Sequence, residues 1–274
     1  MPADLEYDYL EATARMDKFS QNDIDELKSW TQKLDVSKYV PKDITDKQLL
    51  LFYNACYGDM EKTKTCIERY YSCRKNAPEF FENRILSLED VKKQMEVLNL
   101  WYELTSVGVA GGDSCLNKRG PQPGHIFLFD MRGVKFGHLT KVSLSSLRKF
   151  FQYVQEAMPV RMKAIHVLNT ESVVDKLMIL IKPFMDKKFF DMLKFHTKNE
   201  DLERFYDTEI PRSSLPPDFG GTLADTQTLH KKCMQQLAFM EPYFKAEEEQ
   251  RIAALPDKKR GKAMERAFKN LDID

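Results

Sequence analysis

Five histidines, five cysteines and one strand-end aspartate are the residues of this chain best suited to chemistry. His125, His138, His166, His196 and His230 form no HxxxH or HExxH pair, and no cysteine cluster stands beside any of them. A metal needs three or four such ligands at short local spacings, so the sequence offers no metal site. Cys56, Cys66, Cys73, Cys115 and Cys233 are odd in number and include no CxxC pair, which fits reduced thiols better than a disulfide framework. The run Gly108–Gly112 (GVAGG) lacks both the strand before it and the Lys-Ser or Lys-Thr after it that a phosphate loop requires. No GxSxG or GxGxxG occurs. Asp130 ends an apolar run, the place where α/β enzymes set a catalytic carboxylate; a hydrogen-bonded role in the following turn is the plainer reading. His166, between Ile165 and Val167, reads as a hydrogen-bonded core residue. The sequence therefore predicts no enzyme, no catalytic residue and no cofactor.

The elements that would position these residues can be read from periodicity. His125–Asp130 is a short continuous apolar run, the pattern of a strand buried on both faces. A helix follows from Ser143 to Ala157, with Leu144, Leu147, Phe150, Phe151 and Val154 as its apolar positions. Ala164–Leu168 is a second buried strand. Strand, helix, strand predicts a βαβ unit and a parallel sheet. Residues 171–196 are the most apolar helical stretch, with a kink or restart predicted at Pro183. Gly108–Gly124 reads as a loop. Pro211, Pro216 and Pro217 mark an extended crossing to Gly220-Gly221, where a positive φ is expected. The chain from Thr226 onward reads as helical and becomes charged past Glu247. Upstream, residues 1–16 read as a frayed arm. Ser20 caps a helix carrying Ile24, Leu27, Trp30 and Leu34, and Asp46 is expected to cap a second through Leu49–Phe52. A third helix carries Cys66, Ile67, Tyr70 and Tyr71 and stops before Pro78. Leu88, Val91, Met95, Leu98 and Trp101 share a face of a further helix.

With 274 residues the chain can hold one large domain and a small helical one. Lys+Arg and Asp+Glu are 42 each, so no net field draws it to nucleic acid, and any membrane contact must come from a local patch. No run approaches the roughly 18 apolar residues of a spanning helix. The acidic start lacks the pattern of a secretory signal, and a cytoplasmic protein is expected.

The apolar residues remain. Phe127, Phe129, Phe150, Val154, Ile165, Val167, Leu177, Leu180 and Phe184 can line a ligand cavity between sheet and helix, or they can fill a core. Periodicity alone favours the filled core. Phe184, Met185, Phe189 and Phe190 beside Lys187 and Lys188 suit shallow insertion into a headgroup layer. They equally suit a core helix whose lysines reach solvent by snorkelling.

Several segments, taken in order, resemble a known family. They are Asp46–Phe52 (DKQLLLF), Tyr57–Glu61 (YGDME), Tyr70-Tyr71, Arg74–Phe81 (RKNAPEFF), Phe129–Gly133, Pro159–Asn169, Ile181–Phe184 and Leu215–Gly221 (LPPDFGG). Together they resemble the CRAL-TRIO (Sec14-like) lipid-binding family, in its retinaldehyde-binding and alpha-tocopherol transfer protein-like branch, nearest to insect members. The resemblance implies an α/β fold: an N-terminal three-helix module (1–84), then a lipid-binding domain (85–245) whose mostly parallel sheet is covered by helices and a gate helix, then a charged tail (246–274). In the family a first strand and a connector follow the PEFF segment. Here Phe81 leads almost directly to the Leu88 helix, so one sheet-edge strand is expected to be missing.

The resemblance also turns the apolar set into a ligand pocket for one retinoid, tocopherol, carotenoid or phosphoinositide, carried between membranes by a protein that is monomeric and touches membranes only peripherally. Arg161, Lys163 and Lys188 fall where such members hold a phosphoinositide headgroup, and Lys187 and Phe189 join them as membrane contacts. Two further positions of that kind hold Cys56 and Thr65, which are not cations. The reading set against the carrier is an adaptor, binding a protein or a phosphoinositide membrane through the same domain.

Overall fold

A computed structural model describes residues 6–82, 109–135, 137, 143–171, 173–255, 260–261 and 263–265. Its N-terminal helices begin where side chains cap them. Asp8 opens α1 (Tyr9–Ala14), and the Ser20 hydroxyl accepts from the Asp23 N–H to open α2 (Gln21–Lys33). α3 (Asp46–Ala55) is capped one residue earlier than expected. Thr45 is the cap and exchanges hydrogen bonds with Gln48 in a capping box, because a hydroxyl reaches the third N–H while Gln48 reaches back. Asp46 is the first helical residue, where its charge suits the helix dipole. Asp59 opens α4 (Met60–Asn76), and Pro78 starts the single turn α5 (Pro78–Phe81). Ile24, Leu27, Leu49, Leu50 and Ile67 are fully buried between α2, α3 and α4. Tyr70, Tyr71 and Phe81 extend that core by edge-to-face contacts.

The glycine-rich stretch expected to be a loop is instead α6 (Val109–Arg119). Its glycines are poor helix formers, and what holds it is packing: Leu116 enters the N-terminal core, while Asp113, Ser114 and Asn117 are buried. Gly120, at φ 67°, ends it by donating to the Leu116 carbonyl. The helix expected over residues 88–104 lies outside the described residues.

The predicted βαβ unit is present. β1 (His125–Asp130), α7 (Leu144–Glu156) and β2 (Met162–Thr170) follow one another, and β1 pairs parallel to β2 with Phe127 beside Ile165 and Phe129 beside Val167. The apolar stretch after β2 is not one kinked helix. α8 (Val173–Ile181) gives way to a 3₁₀ turn at Lys182–Phe184, then to α9 (Lys187–Phe190) and a third strand, β3 (Leu193–Thr197). Pro183 supplies no N–H to continue α8, and past it the apolar spacing changes from helical to alternating, Leu193 and Phe195 against Lys194 and His196. β3 pairs parallel to β2, so the order is β1-β2-β3. Among the described residues β1 has no strand on its outer side.

Strand alternation sends side chains to two faces. Phe127, Phe129, Ile165, Val167 and Leu193 point to α7 and α8. Ile126, Leu128 and Leu168 point to the opposite face, toward α10 (Glu203–Thr208) and the segment Ile210–Phe219. Gly220 has φ 71°, as expected of a turn glycine. A side chain on Gly221 would stand 1.9 Å from the Leu215 carbonyl oxygen. Two longer helices follow, α11 (Thr226–Phe239) and α12 (Glu241–Ala253). α12 docks on the N-terminal helices through ion pairs: the buried Arg74 with Glu247 at 3.3 Å, and Arg251 with the half-buried Glu82 at 2.9 Å, while Glu248, on α12 itself, holds Arg251 at 2.7 Å.

Candidate apolar binding layer

The face of the sheet under α7 and α8 gathers the residues the sequence singled out for a pocket. α7 presents Leu147, Phe150, Phe151 and Val154 at helical spacing, so one stripe lies over Phe127, Ile165 and Val167. Its remaining face, with Tyr153 and Ala157, packs on the N-terminal core. α8 and its 3₁₀ turn supply Leu177, Leu180, Ile181 and Phe184 from the other side. Phe127, Phe129, Phe150, Val154, Ile165, Val167, Leu177, Leu180 and Phe184 thus meet in a single apolar cluster. Ile165, Val167 and Phe127 are buried, and the other six are half-buried.

The same cluster holds residues that sequence reading did not assign to it: Phe151, Ile181 and the methionines Met131, Met158, Met162, Met178 and Met185. Methionine is unbranched and polarisable, so this layer can repack around irregular contents. Their type was the available signal, since methionines concentrate on one face of the sheet and scarcely on the other.

One polar residue fastens the roof. Gln155 on α7 donates to the Phe184 carbonyl at 3.0 Å and accepts from the Asp186 N–H at 2.7 Å. It grips the backbone on both sides of Met185, directly after Pro183. Asp186 in turn caps α9 by accepting from the Phe189 N–H at 2.7 Å. The outward side of α8 shows Asp175, Lys176 and Ile179, the last 77% exposed.

The residues read as headgroup and membrane contacts divide. Arg161 is buried: its Nε donates to the Asn54 carbonyl at 2.6 Å, its Nη1 lies 3.5 Å from Asp17, and its guanidinium sits 4.2 Å from the centre of the Tyr57 ring. Lys163 is exposed, with Nζ 3.4 Å from the Tyr57 hydroxyl. Lys187 and Lys188 are exposed on α9, and Lys187 pairs with Asp191 at 2.6 Å. Phe189, read as facing a membrane, is instead buried with its ring 5.8 Å from that of Phe151. The short α9 carries one apolar and one charged side, and its apolar side faces the layer. Cys56 and Thr65 lie on the N-terminal helices, with the Thr65 hydroxyl donating to the Glu61 carbonyl.

On the opposite face of the sheet the polar residues are committed to structure. Asp130 accepts from the Asn169 side chain at 2.8 Å and the Arg132 N–H at 3.0 Å, which is the turn role expected of it. His166 is fully buried, stacked on His196 and bonded to it at 2.9 Å, with Phe205 edge-on to both rings. Burial, and next the neighbouring His196, push the His166 pKa down to about 4. Among the described residues no group of three or more His, Cys, Asp or Glu could hold a metal ion, and no helix is long and apolar enough to cross a membrane.

Comparison with known proteins places this geometry in context. The sequence model of the CRAL/TRIO domain matches residues 78–221, and that of the Pinta-like UBA domain matches residues 17–96. The mouse protein "Alpha-tocopherol transfer protein-like" is 25% identical over 216 residues, which are 69% of this chain and 62% of that protein. The chain thus spans less than two thirds of that relative's length. Rat Clavesin-1 is 30% identical over 101 residues, 36% of this chain and 27% of that protein. The crystal structure of Sfh5 aligns with a TM-score of 0.39 at 12% identity, covering 81% of this chain and 99% of that one.

Proposed function

The chain belongs to the CRAL/TRIO domain family, and on that premise we propose that it binds one small hydrophobic lipid in the layer between its sheet and α8 and passes it between membranes. The observation that carries this reading is the convergence of Phe127, Phe129, Phe150, Val154, Ile165, Val167, Leu177, Leu180 and Phe184 on one methionine-rich cluster. Burying a lipid there gains about 25 cal/mol per Å² of apolar surface removed from water, offset in part by ordering. Release requires the roof to move. Gln155 is the hinge point of that motion, because its two backbone contacts hold the Pro183 segment onto α7.

The ligand is of the retinoid, tocopherol, carotenoid or phosphoinositide class. Membrane contact belongs to the same proposal. Arg161 is already engaged by Asn54, Asp17 and Tyr57, so the exposed ammonium groups of Lys163, Lys187 and Lys188 would meet an anionic headgroup. On this reading the protein is a monomeric cytoplasmic carrier that makes or breaks no bond. It comprises a helical module (1–84), a lipid-binding domain (85–245) and a charged tail (246–274), with α12 crossing the last boundary.

Purification from a lipid-rich eukaryotic host, organic extraction and mass spectrometry of the folded fraction tests the proposal. A stoichiometric apolar molecule is expected, and Leu180→Asp should lose it while remaining folded. A folded wild-type protein that stays empty, there and after incubation with a lipid panel, would overturn the carrier reading. It would favour an adaptor whose layer is simply a filled core, a reading to which the close packing of Phe151 on Phe150 and Phe189 lends weight.

A further inference from the structure

Away from the apolar layer, the turn between α3 and α4 holds a tyrosine in an unusual place. α3 ends at Ala55, and Tyr57 and Gly58 then both take left-handed backbone, φ 57° and 71°. Their N–H groups reach back to the Asn54 carbonyl at 3.0 Å and the Tyr53 carbonyl at 2.9 Å, and Asp59 already caps α4. Such backbone suits Gly58 but is strained for an aromatic residue, so the side chain of Tyr57 must offset the strain. Its ring lies 4.2 Å from the Arg161 guanidinium, and the Asn54 carbonyl that ties the turn also accepts from Arg161 Nε at 2.6 Å. The ring is thus seated on a buried cation while the residue stays 52% exposed. Among the described residues Tyr57 is the one exposed tyrosine; the others are buried or half-buried.

Cations surround its hydroxyl. Lys163 Nζ lies 3.4 Å from the Tyr57 oxygen and 5.5 Å from the ring centre. Lys18 Cδ stands 3.0 Å from where a side chain on Gly58 would begin. Both lysines are exposed, and among the described residues neither has an ion pair. Asp17, a carboxylate of this patch, is turned to Arg161 at 3.5 Å. The chain therefore presents an accessible phenol beside two ammonium groups without a counter-ion. Asp59 and Glu61 follow it at the second and fourth positions, which suits an enzyme whose substrate groove is basic.

We propose that Tyr57 is a phosphorylation site for a protein tyrosine kinase, and that Lys163 and Lys18 hold the phosphate. The Tyr57 oxygen attacks the γ-phosphorus of ATP. The bond from that phosphorus to the β–γ bridging oxygen breaks, ADP leaves with the electron pair, and the phenolic proton passes to the kinase's base. The product carries a charge of about −1.5 to −2 and three acceptor oxygens, placed where two charge-assisted hydrogen bonds from ammonium groups can form. The consequence is electrostatic. Lys163 is one of the cations read above as meeting an anionic headgroup, and this part rests on that reading. A phosphate on Tyr57 occupies Lys163 internally and repels an anionic surface, so phosphorylation releases the protein from the membrane.

The test incubates the folded full chain with ATP, Mg²⁺ and purified tyrosine kinases that prefer acidic substrates, and maps the phosphate by mass spectrometry. Tyr57 is expected to be modified first, and Tyr57→Phe, which keeps the ring on Arg161, should lose that phosphate. Phosphate that goes to other tyrosines and spares Tyr57 overturns the proposal. On the modified protein, phosphorus NMR should show the phosphate titrating below about 5.5 against an ordinary value of about 6, with Lys163→Ala moving it back up. A value of about 6 in the wild-type chain means that the lysines do not hold it, and the proposal falls. Co-sedimentation then compares phosphatidylcholine vesicles with and without phosphatidylserine. Phosphorylation should weaken binding to the anionic vesicles at least about fivefold, the worth of one lysine at such a surface, and leave Tyr57→Phe unaffected. Equal binding of both forms overturns the release. If the unmodified chain ignores anionic vesicles, the membrane contact fails as a reading, and the mapped site and its titration still decide Tyr57.

Discussion

The two faces of the three-stranded sheet are built on different principles. Against one face lie Phe205, Ile210, Leu215 and Phe219, held by directional contacts. Tyr206 donates to the Phe219 carbonyl at 2.9 Å, Arg212 donates to the Gly220 carbonyl at 2.8 Å, and His166 is bonded to His196. Against the other face lie phenylalanines and methionines with Gln155 as their polar fastening. Hydrogen bonds fix distances and angles, whereas apolar contacts among unbranched side chains fix neither. The first face is a floor that keeps the strands in register. On the proposed carrier reading the second is the face that changes its contents without disturbing that floor.

The sharpest way to break this contrast is at Gly221. Any side chain there collides with the Leu215 carbonyl, which is backbone and cannot swing aside. Gly221→Ala is expected to cost more than about 3 kcal/mol or to prevent folding, as forced backbone displacement in a packed site does. Urea unfolding measures it, and a cost below about 1 kcal/mol would show that the floor is softer than its contacts suggest.

Acid should also act on the floor. His166 is expected to titrate near its ordinary value of about 6.5 when unfolded, and its folded pKa is about 4. Between those values the native state binds fewer protons than the unfolded chain. The stability is therefore complete above about pH 6.5, falls as the pH drops toward 4, and loses up to about 3 kcal/mol from this group. His166→Phe keeps a ring beside His196 but cannot take a proton, so its stability should fall less over the same range. Parallel curves for variant and wild type would assign the acid sensitivity elsewhere.

The fastening on the other face should be worth less, and its loss should be local. Gln155→Ala leaves the Phe184 carbonyl and the Asp186 N–H without this partner, at a cost of about 1–2 kcal/mol. Hydrogen exchange should quicken at residues 184–189 and stay unchanged in β2. Uniform acceleration would mean that Gln155 supports the whole domain and not its roof.

Much of this contrast was legible in the sequence. Two apolar runs joined by an amphipathic helix require a parallel pair, and the nine apolar positions expected to face one another do so. What escaped was set by tertiary contact. β3 was hidden because Leu193, Phe195 and the aromatics before them extend a helical-looking run, and only pairing with β2 selects the strand. α6 was hidden by Gly111 and Gly112, whose helix cost is outweighed by the burial of Leu116 and Asn117. The buried state of Phe189 followed from which way a four-residue helix turned, and no periodicity can be read in so short a segment.

The smallest effect is the most discriminating. Met178 and Met185 are half-buried in the layer, and leucine has nearly the volume of methionine with less freedom. If the layer is built to repack, Met178→Leu and Met185→Leu should each cost less than about 1.5 kcal/mol in urea unfolding, and the double variant should be close to additive. The shape of what the layer accepts should change more than its stability, and competition between apolar ligands of different width would register that. A double variant that loses more than about 3 kcal/mol would mean that these methionines fit their neighbours as closely as Leu215 fits Gly221. The two faces would then be equally rigid, and the case for a cavity that opens under α8 would fall with the difference between them.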